Sequence, residues 1–361
     1  MKYFNTPDFA ARFPKPFKLN PKKGGDLTGV TIPRGTFLDL NGKTFTTDNS
    51  VVNFGAIVNG SLVGTDKLPD HAALINVPQN TNVGKPNTGT LIENVTGAAG
   101  SYNGLAKIWA EDATVASCTV NKGTGWGVMG WESHRLHVDG LVTDHLRRGG
   151  LYIGKDENDA DGVECYNVLI ENCILDTADE ESPFRFNTAV NATVRNNIFN
   201  NLFSKSKKES AQFRGRSGNV YRNIFLSSIA IGQQPNGMTQ SAVFSFRDNI
   251  CFGYITIEAG GDATFTHDYF INQPTLSGKS LQNIARSFGW RNQAFPWSEY
   301  VKPKIGNGAA INCQSATRGL PDGKAKLIDC SYDATGGLTK TNKRVSQIGT
   351  TMVVANGPKP V

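Results

Sequence analysis

One seven-residue pattern of apolar and polar positions recurs along the chain: apolar, any, apolar, any, any, often Asn, apolar. It reads Val168-Leu-Ile170-Glu-Asn-Cys-Ile174, Ala192-Thr-Val194-Arg-Asn-Asn197-Ile198, Gly218-Asn-Val220-Tyr-Arg-Asn223-Ile224 and Phe244-Ser-Phe246-Arg-Asp-Asn249-Ile250. Weaker copies end at Leu62, Val95, Val120, Val142 and Tyr269. Successive final positions are 33, 25, 22, 32, 24, 26, 26 and 19 residues apart, a mean of about 26. The apolar residues fall at i, i+2 and i+6, which suits a strand with one buried face and excludes an amphipathic helix. A solenoid with loops of variable length accounts for the uneven gaps, because each coil buries its inward residues only by stacking on its neighbours. Nine coils at the strand spacing of roughly 4.8 Å would make a rod about 40 Å long.

Asn stands just before the final apolar residue at positions 94, 197, 223 and 249. A corner between two strands needs a residue that tolerates left-handed backbone and bonds locally, so these Asn are expected at corners, stacked as an amide ladder or, alternatively, standing as unstacked surface turns. Composition agrees: 39 Gly, 20 Phe and 19% charged residues suit a turn-rich all-β chain. The six cysteines, Cys118, Cys165, Cys173, Cys251, Cys313 and Cys330, lack metal-type spacing and read as buried thiols.

The opening Val30-Thr-Ile32-Pro-Arg-Gly-Thr-Phe-Leu38-Asp-Leu40-Asn-Gly-Lys-Thr-Phe45, followed by Ile57-Val-Asn59-Gly60-Ser-Leu62, resembles the first coils of the pectin-lyase-like right-handed parallel β-helix superfamily. The resemblance implies an all-β parallel β-helix over 27–272, with an N-terminal lead-in at 1–26 and a C-terminal cap or subunit-contact region at 273–361. In the latter, Ser280–Phe288 could form a short helix followed by Trp290 and Trp297, and strand-like runs return at Ala325–Cys330 and Thr351–Ala355. Lyases, hydrolases, epimerases and phage tailspikes share this fold, so it does not fix the activity. The calcium-binding Asp pattern of pectate lyases and the Asn-Thr-Asp and Gly-Asp-Asp signatures of polygalacturonases are absent. No catalytic residue is therefore carried over by motif.

Candidate chemistry comes from the opposite strands of the coils. If Leu151 and Ile153, Phe184 and Phe186, and Ala211 and Phe213 point inward, alternation sends Tyr152, Arg185 and Gln212 outward in a line. Flanked by Lys107, Asn187 and Arg214, that line suits an extended anionic glycan, since Arg grips carboxylates with two hydrogen bonds and Tyr offers a ring and a hydroxyl. It also reads as an ordinary solvated strand face. The acidic runs Asp156–Glu164 and Asp176–Glu181 flank the line; Asp161 and Glu181, with Tyr152 and Arg185, are the catalytic candidates, two carboxylates serving as acid and base in glycoside hydrolysis. The first run partly matches a calcium loop through Glu157, Asp159, Asp161 and Gly162, but Val168 stands where the loop needs Glu, and no metal is expected. Trp131 and His134 join Lys107, Asn187, Gln212 and Arg214 as substrate-binding candidates. His134, His137, His145, Arg147 and Arg148 could serve an eliminative cleavage, although His137, between inward Leu136 and Val138, should face solvent.

The formal net charge of +6 favours acidic partners. Nothing marks a nucleic-acid site, and no run approaches the roughly 18 apolar residues of a membrane span. The first residues lack a secretory signal's apolar run, so the expected product is made in the cytoplasm and, by the resemblance, built into a phage tail. The expectation is a homotrimeric tailspike-like protein that binds and cleaves a bacterial surface polysaccharide, as lyase or hydrolase, without a cofactor and with other tail proteins as further partners. A non-catalytic receptor-binding spike and an extracellular bacterial acidic-polysaccharide lyase are the alternatives.

Overall fold

The computed structural model describes residues 2–19, 25–79, 87–98, 104–121, 125–154, 165–176, 178–201, 204, 209–232, 241–270, 310–314, 320–333, 338–340, 345–346, 351–353 and 359–360. The chain is a parallel β-helix. Its strands lie in a first sheet of 23 strands, a second of 13 and a small pair. In the second sheet ten parallel pairings link eleven successive strands, from Thr31–Ile32 to Ala310–Cys313. Eleven rungs span about 48 Å at the usual strand spacing. Parallel stacking in the first sheet reaches Lys324–Ile328 and Ser331–Asp333, whose further pairings, to Val345–Ser346 and Leu338–Lys340, are antiparallel.

The coils stack because the pattern gives each one the same inward set. In the first sheet Val115, Val138, Ile170, Val194, Val220, Phe246, Phe265 and Leu327 are register partners inside one continuous core. Aliphatic residues fill the N-terminal coils. From residue 184 onward phenylalanines take over, with Phe199 stacked on Phe225 at 5.0 Å and Phe246 on Phe265 at 4.9 Å between ring centroids. Interlocked rings of this size exclude voids and fix the coil register.

The corner differs from the sequence expectation in an instructive way. Two adjacent residues divide the work assigned to one Asn. The left-handed position belongs to the residue before the ladder: Asn94, Ser117, Asn172, Asn196, Arg222, Asp248 and His267 all have φ between +51° and +57°. The next residue builds the ladder. Asn197 Nδ2 donates to Asn223 Oδ1 at 2.9 Å, Asn223 Nδ2 to Asn249 Oδ1 at 3.0 Å, and Asn249 Nδ2 to Asp268 Oδ1 at 2.8 Å. Each amide also donates to a backbone carbonyl, so these buried groups are satisfied along the axis. Asn94 is not in this ladder; it is a left-handed corner residue bonded to Asn59. The motif copies at Val142, Ile174, Ile198, Ile224, Ile250 and Tyr269 share one register, whereas Ser61, Thr96 and Thr119 rather than Leu62, Val95 and Val120 occupy it in the earlier coils.

The N-terminal residues run across the outside of the first sheet. A short helix, Pro7–Arg12, starts at Thr6, whose hydroxyl accepts from the Phe9 amide, with Pro7 in its first turn. Phe9 and Phe13 pack on Ala56, Val58 and Leu91 as a small cluster separate from the main core. The six cysteines are buried and unpaired, and burial pushes the Cys118, Cys165, Cys173 and Cys330 thiols up to about 12. No helix among the described residues is long and apolar enough to cross a membrane. Ser280–Phe288, Trp290 and Trp297 lie outside the described residues.

Candidate functional site

The second sheet presents its polar row outward in a single register. Strands Ile75–Val77, Ala106–Ile108, Trp126–Gly130, Gly149–Ile153, Phe184–Asn187, Ala211–Arg214, Ile229–Ile231 and Ile255–Ile257 align Asn76, Lys107, Met129, Tyr152, Arg185, Gln212, Ala230 and Thr256. Tyr152, Arg185 and Gln212 are thus partners on three adjacent coils, while Leu151, Ile153, Phe184, Phe186, Ala211 and Phe213 enter the core. Two residues further along each strand, Asn187, Arg214, Gly232 and Glu258 form a second outward row.

This face is not an open, solvated one. Tyr152 is 6% exposed, Arg185 7% and Gln212 3%, although all three point away from the core. A polar network satisfies them in place of water. Arg185 Nη1 donates to Glu181 Oε2 at 3.0 Å, and Arg185 Nε to Asn187 Oδ1 at 3.4 Å. Asn187 Nδ2 in turn donates to the Tyr152 hydroxyl at 2.9 Å. The Arg185 guanidinium lies 5.9 Å from the Tyr152 ring centroid; that ring packs on Trp126 at 5.1 Å and nearly parallel to Trp131 at 6.3 Å. Lys107 sits over the outer side of the series, 5.4 Å from the Trp131 ring, in cation–π contact.

Downstream the row changes from aromatic to carboxylate. Gln212 Nε2 donates to Glu209 Oε2 at 2.9 Å, and Arg214 Nη2 lies 3.6 Å from Glu258 Oε1. Arg214 and Glu258 stand two coils apart and meet only because the coil between them carries Ala230 and Gly232. A Cβ on Gly232 would lie 2.6 Å from the Glu258 Cβ, and its φ of +143° is one that L side chains rarely adopt. Burial pushes the Glu258 carboxyl above its ordinary range, Arg214 opposes the shift and Glu209 adds to it. Gln212 Oε1 and Arg214 Nε are buried without a hydrogen-bond partner among the described residues. Orphaned polar atoms of this kind are costly and mark a place where a ligand atom would be welcome.

Of the site residues expected from sequence, Lys107, Trp131, Tyr152, Glu181, Arg185, Asn187, Gln212 and Arg214 come together here. His134 does not: it packs on Tyr166, 5.2 Å between rings, and accepts from the Tyr166 amide. Asp161, with the whole 155–164 stretch, lies outside the described residues. Arg147 pairs with Glu180, and His145 with Asp144. His137, expected in solvent, does point outward from between buried Leu136 and Val138, but Tyr3 covers it and it bonds to Glu171 at 2.9 Å. Glu209 and Glu258 were missed. Strand alternation through Tyr254-Ile-Thr-Ile-Glu258 could have found Glu258; Glu209, outside any repeat, left no signal. Comparison with protein-family models, curated proteins and solved structures gives no match.

Proposed function

We propose that the outward face of the second sheet binds and hydrolyses a bacterial surface polysaccharide, as part of a homotrimeric, phage-tailspike-like member of the pectin-lyase-like superfamily. The observation that carries the reading is the carboxylate end of the row. Glu258 is held toward its protonated form beside Arg214, with Glu209 and Glu181 as further carboxylates bonded to neighbours in the same rows. A protonated carboxyl and an ionised one are the pair that glycoside hydrolysis needs. In this reading Glu258 gives its proton to the glycosidic oxygen as the bond from C1 to that oxygen breaks. Glu209 takes a proton from the water whose oxygen joins C1. Trp131 supplies an apolar face for a sugar ring, and Lys107 beside it a charge for an acidic sugar. Elimination is less well supported, because the histidines it called for pair elsewhere.

The burial of Tyr152, Arg185 and Gln212 favours a second reading, a rigid receptor-binding spike without catalysis, since residues so covered act as scaffold more readily than as glycan contacts. Incubation with a panel of acidic capsules, lipopolysaccharides and alginates separates the two. Hydrolysis releases reducing ends without absorbance near 235 nm, and Glu258→Gln should slow release by about 10²–10⁴-fold while leaving glycan binding intact. Glycan binding with no release of reducing ends supports the spike. An unsaturated product absorbing near 235 nm would overturn the hydrolytic assignment.

A further inference from the structure

On the opposite flank, strands His137–Asp139 and Leu169–Glu171 of the first sheet bring together a histidine and two carboxylates that the polysaccharide site does not use. Their ligand atoms lie within 4.8 Å of one another. Each residue is anchored on its outer side, and on the inner side His137 Nε2 and Glu171 Oε1 lie in hydrogen-bond contact at 2.9 Å, a contact that a bound ion would replace. Asp139 Oδ1 accepts from Asn172 Nδ2 at 2.8 Å, and Glu171 Oε2 accepts from Arg195 Nε at 2.8 Å. His137 Nδ1 lies 3.3 Å from the Tyr3 hydroxyl. The opposite atoms, Asp139 Oδ2, Glu171 Oε1 and His137 Nε2, converge. Anchoring of the outer atom is what fixes a metal ligand's orientation and tautomer.

A cation already occupies that point of convergence. Lys2 Nζ donates to Asp139 Oδ2 at 2.5 Å and lies 3.8 Å from Glu171 Oε1. Both carboxylates are 8% exposed, whereas the Lys2 side chain is 54% exposed and enters from outside. Its backbone is tied separately: the amides of Lys2, Tyr3 and Phe4 all donate to the fully buried Glu93 carboxylate. The ammonium can therefore leave while the segment, and the Tyr3 hydroxyl on His137, stay in place.

We propose that His137, Asp139 and Glu171 form a three-ligand site for a divalent transition-metal ion, with the Lys2 ammonium as a built-in competitor that the ion displaces. One imidazole nitrogen with two carboxylate oxygens suits Zn²⁺ or Mn²⁺, leaving further positions for water, and does not suit Ca²⁺, which takes oxygen ligands.

The test is calorimetric titration of the full chain with Zn²⁺, and separately with Mn²⁺ and Ca²⁺, comparing the native sequence with Lys2→Ala. Lys2→Ala should bind one Zn²⁺ per chain at least tenfold more tightly than the native sequence, with Ca²⁺ weaker than either transition metal. Asp139→Asn in the Lys2→Ala background should abolish the binding. Lys2→Met, which keeps the aliphatic stem, serves as a second variant should Lys2→Ala lose the native circular dichroism. The proposal is overturned if neither Lys2 variant binds Zn²⁺ stoichiometrically, if they bind no more tightly than the native chain, or if Asp139→Asn leaves the binding unchanged.

Discussion

The two long sheets carry outward rows built by the same alternation, yet the rows have opposite characters. In the later coils of the first sheet Thr193, Asn219, Ser245 and Thr264 are register partners; Asn219 and Ser245 are exposed, and Thr193 and Thr264 half-buried. On the second sheet Tyr152, Arg185 and Gln212 hold the equivalent outward position and are buried. Short hydroxyl and amide side chains on an open face cost little and need no partners beyond water. An arginine, a tyrosine and a glutamine withdrawn from water are tolerated only with partners, and here those partners form a chain from Trp131 through Tyr152 and Asn187 to Arg185 and Glu181. The direction in which a side chain points therefore does not by itself tell a solvated face from a site. What distinguishes this row from the open one is desolvated charge, together with the small residues that let Arg214 and Glu258 meet.

The largest effect should come from removing that clearance. Gly232→Ala places a methyl 2.6 Å from the Glu258 Cβ at a φ of +143°. We expect a loss of about 3 kcal/mol in unfolding free energy, measured by urea denaturation, and loss of any glycan-cleaving activity. A variant with native stability would show that the coil relaxes freely and that the contact between Arg214 and Glu258 needs no special backbone. Arg185→Ala should rank next. It leaves Glu181 without its cation and Asn187 Oδ1 without a donor, at a cost of about 2 kcal/mol, and weakens glycan binding. Unchanged stability and unchanged binding together would reduce this row to a covered surface like any other.

Buried carboxyls sharpen the contrast further. Glu258 faces arginines, whereas Asp268 ends the asparagine ladder and is fully buried, accepting from the Asn249 amide nitrogens and the Thr266 amide. Those donors favour the ionised form, but burial outweighs them and raises the Asp268 pKa to about 8. In the unfolded chain an Asp titrates near ~3.9. The folded state thus binds the extra proton between the two values: the contribution of Asp268 to stability is full below about pH 4 and is lost as pH rises through about 8. Asp268→Asn continues the ladder without the charge. It should be more stable than the native chain by about 1 kcal/mol or more at pH 9, with the difference vanishing near pH 4 in paired thermal melts. Parallel pH profiles for the two chains would show that Asp268 does not titrate in this range.

Much of this was legible in the sequence, and the reason is periodicity. Alternation and a common inward set identified the parallel β-helix and the row of Tyr152, Arg185 and Gln212, because both follow from stacking like on like. What escaped was set by contacts between distant segments. Nothing near His137 announces that Tyr3 will cover it, and nothing near Asp139 or Glu171 announces Lys2. Glu258 belongs to the site through Arg214, a contact made two coils away, while Glu209 joins it through Gln212, three residues on, from a position outside any repeat. The corner was half legible: Asn197, Asn223 and Asn249 do stack, but local sequence could not say that the left-handed residue is their predecessor, since residues as different as Arg222 and His267 accept that conformation when the coil imposes it.

The smallest expected effect tests the other side of the comparison. Asn219 lies at the centre of the first sheet's open row, between Thr193 and Ser245, with its side chain exposed. Truncating it removes no core volume and leaves no buried group orphaned, so Asn219→Ala should change unfolding free energy by less than about 0.5 kcal/mol. If the glycan occupies the second sheet, binding should also be unchanged. A stability loss near that of Arg185→Ala would mean that the open row is covered in the assembled protein, as flanks packed against other copies of the chain would be. Loss of glycan binding with stability intact would move the polysaccharide to the first sheet, and the buried row of the second would then be scaffold.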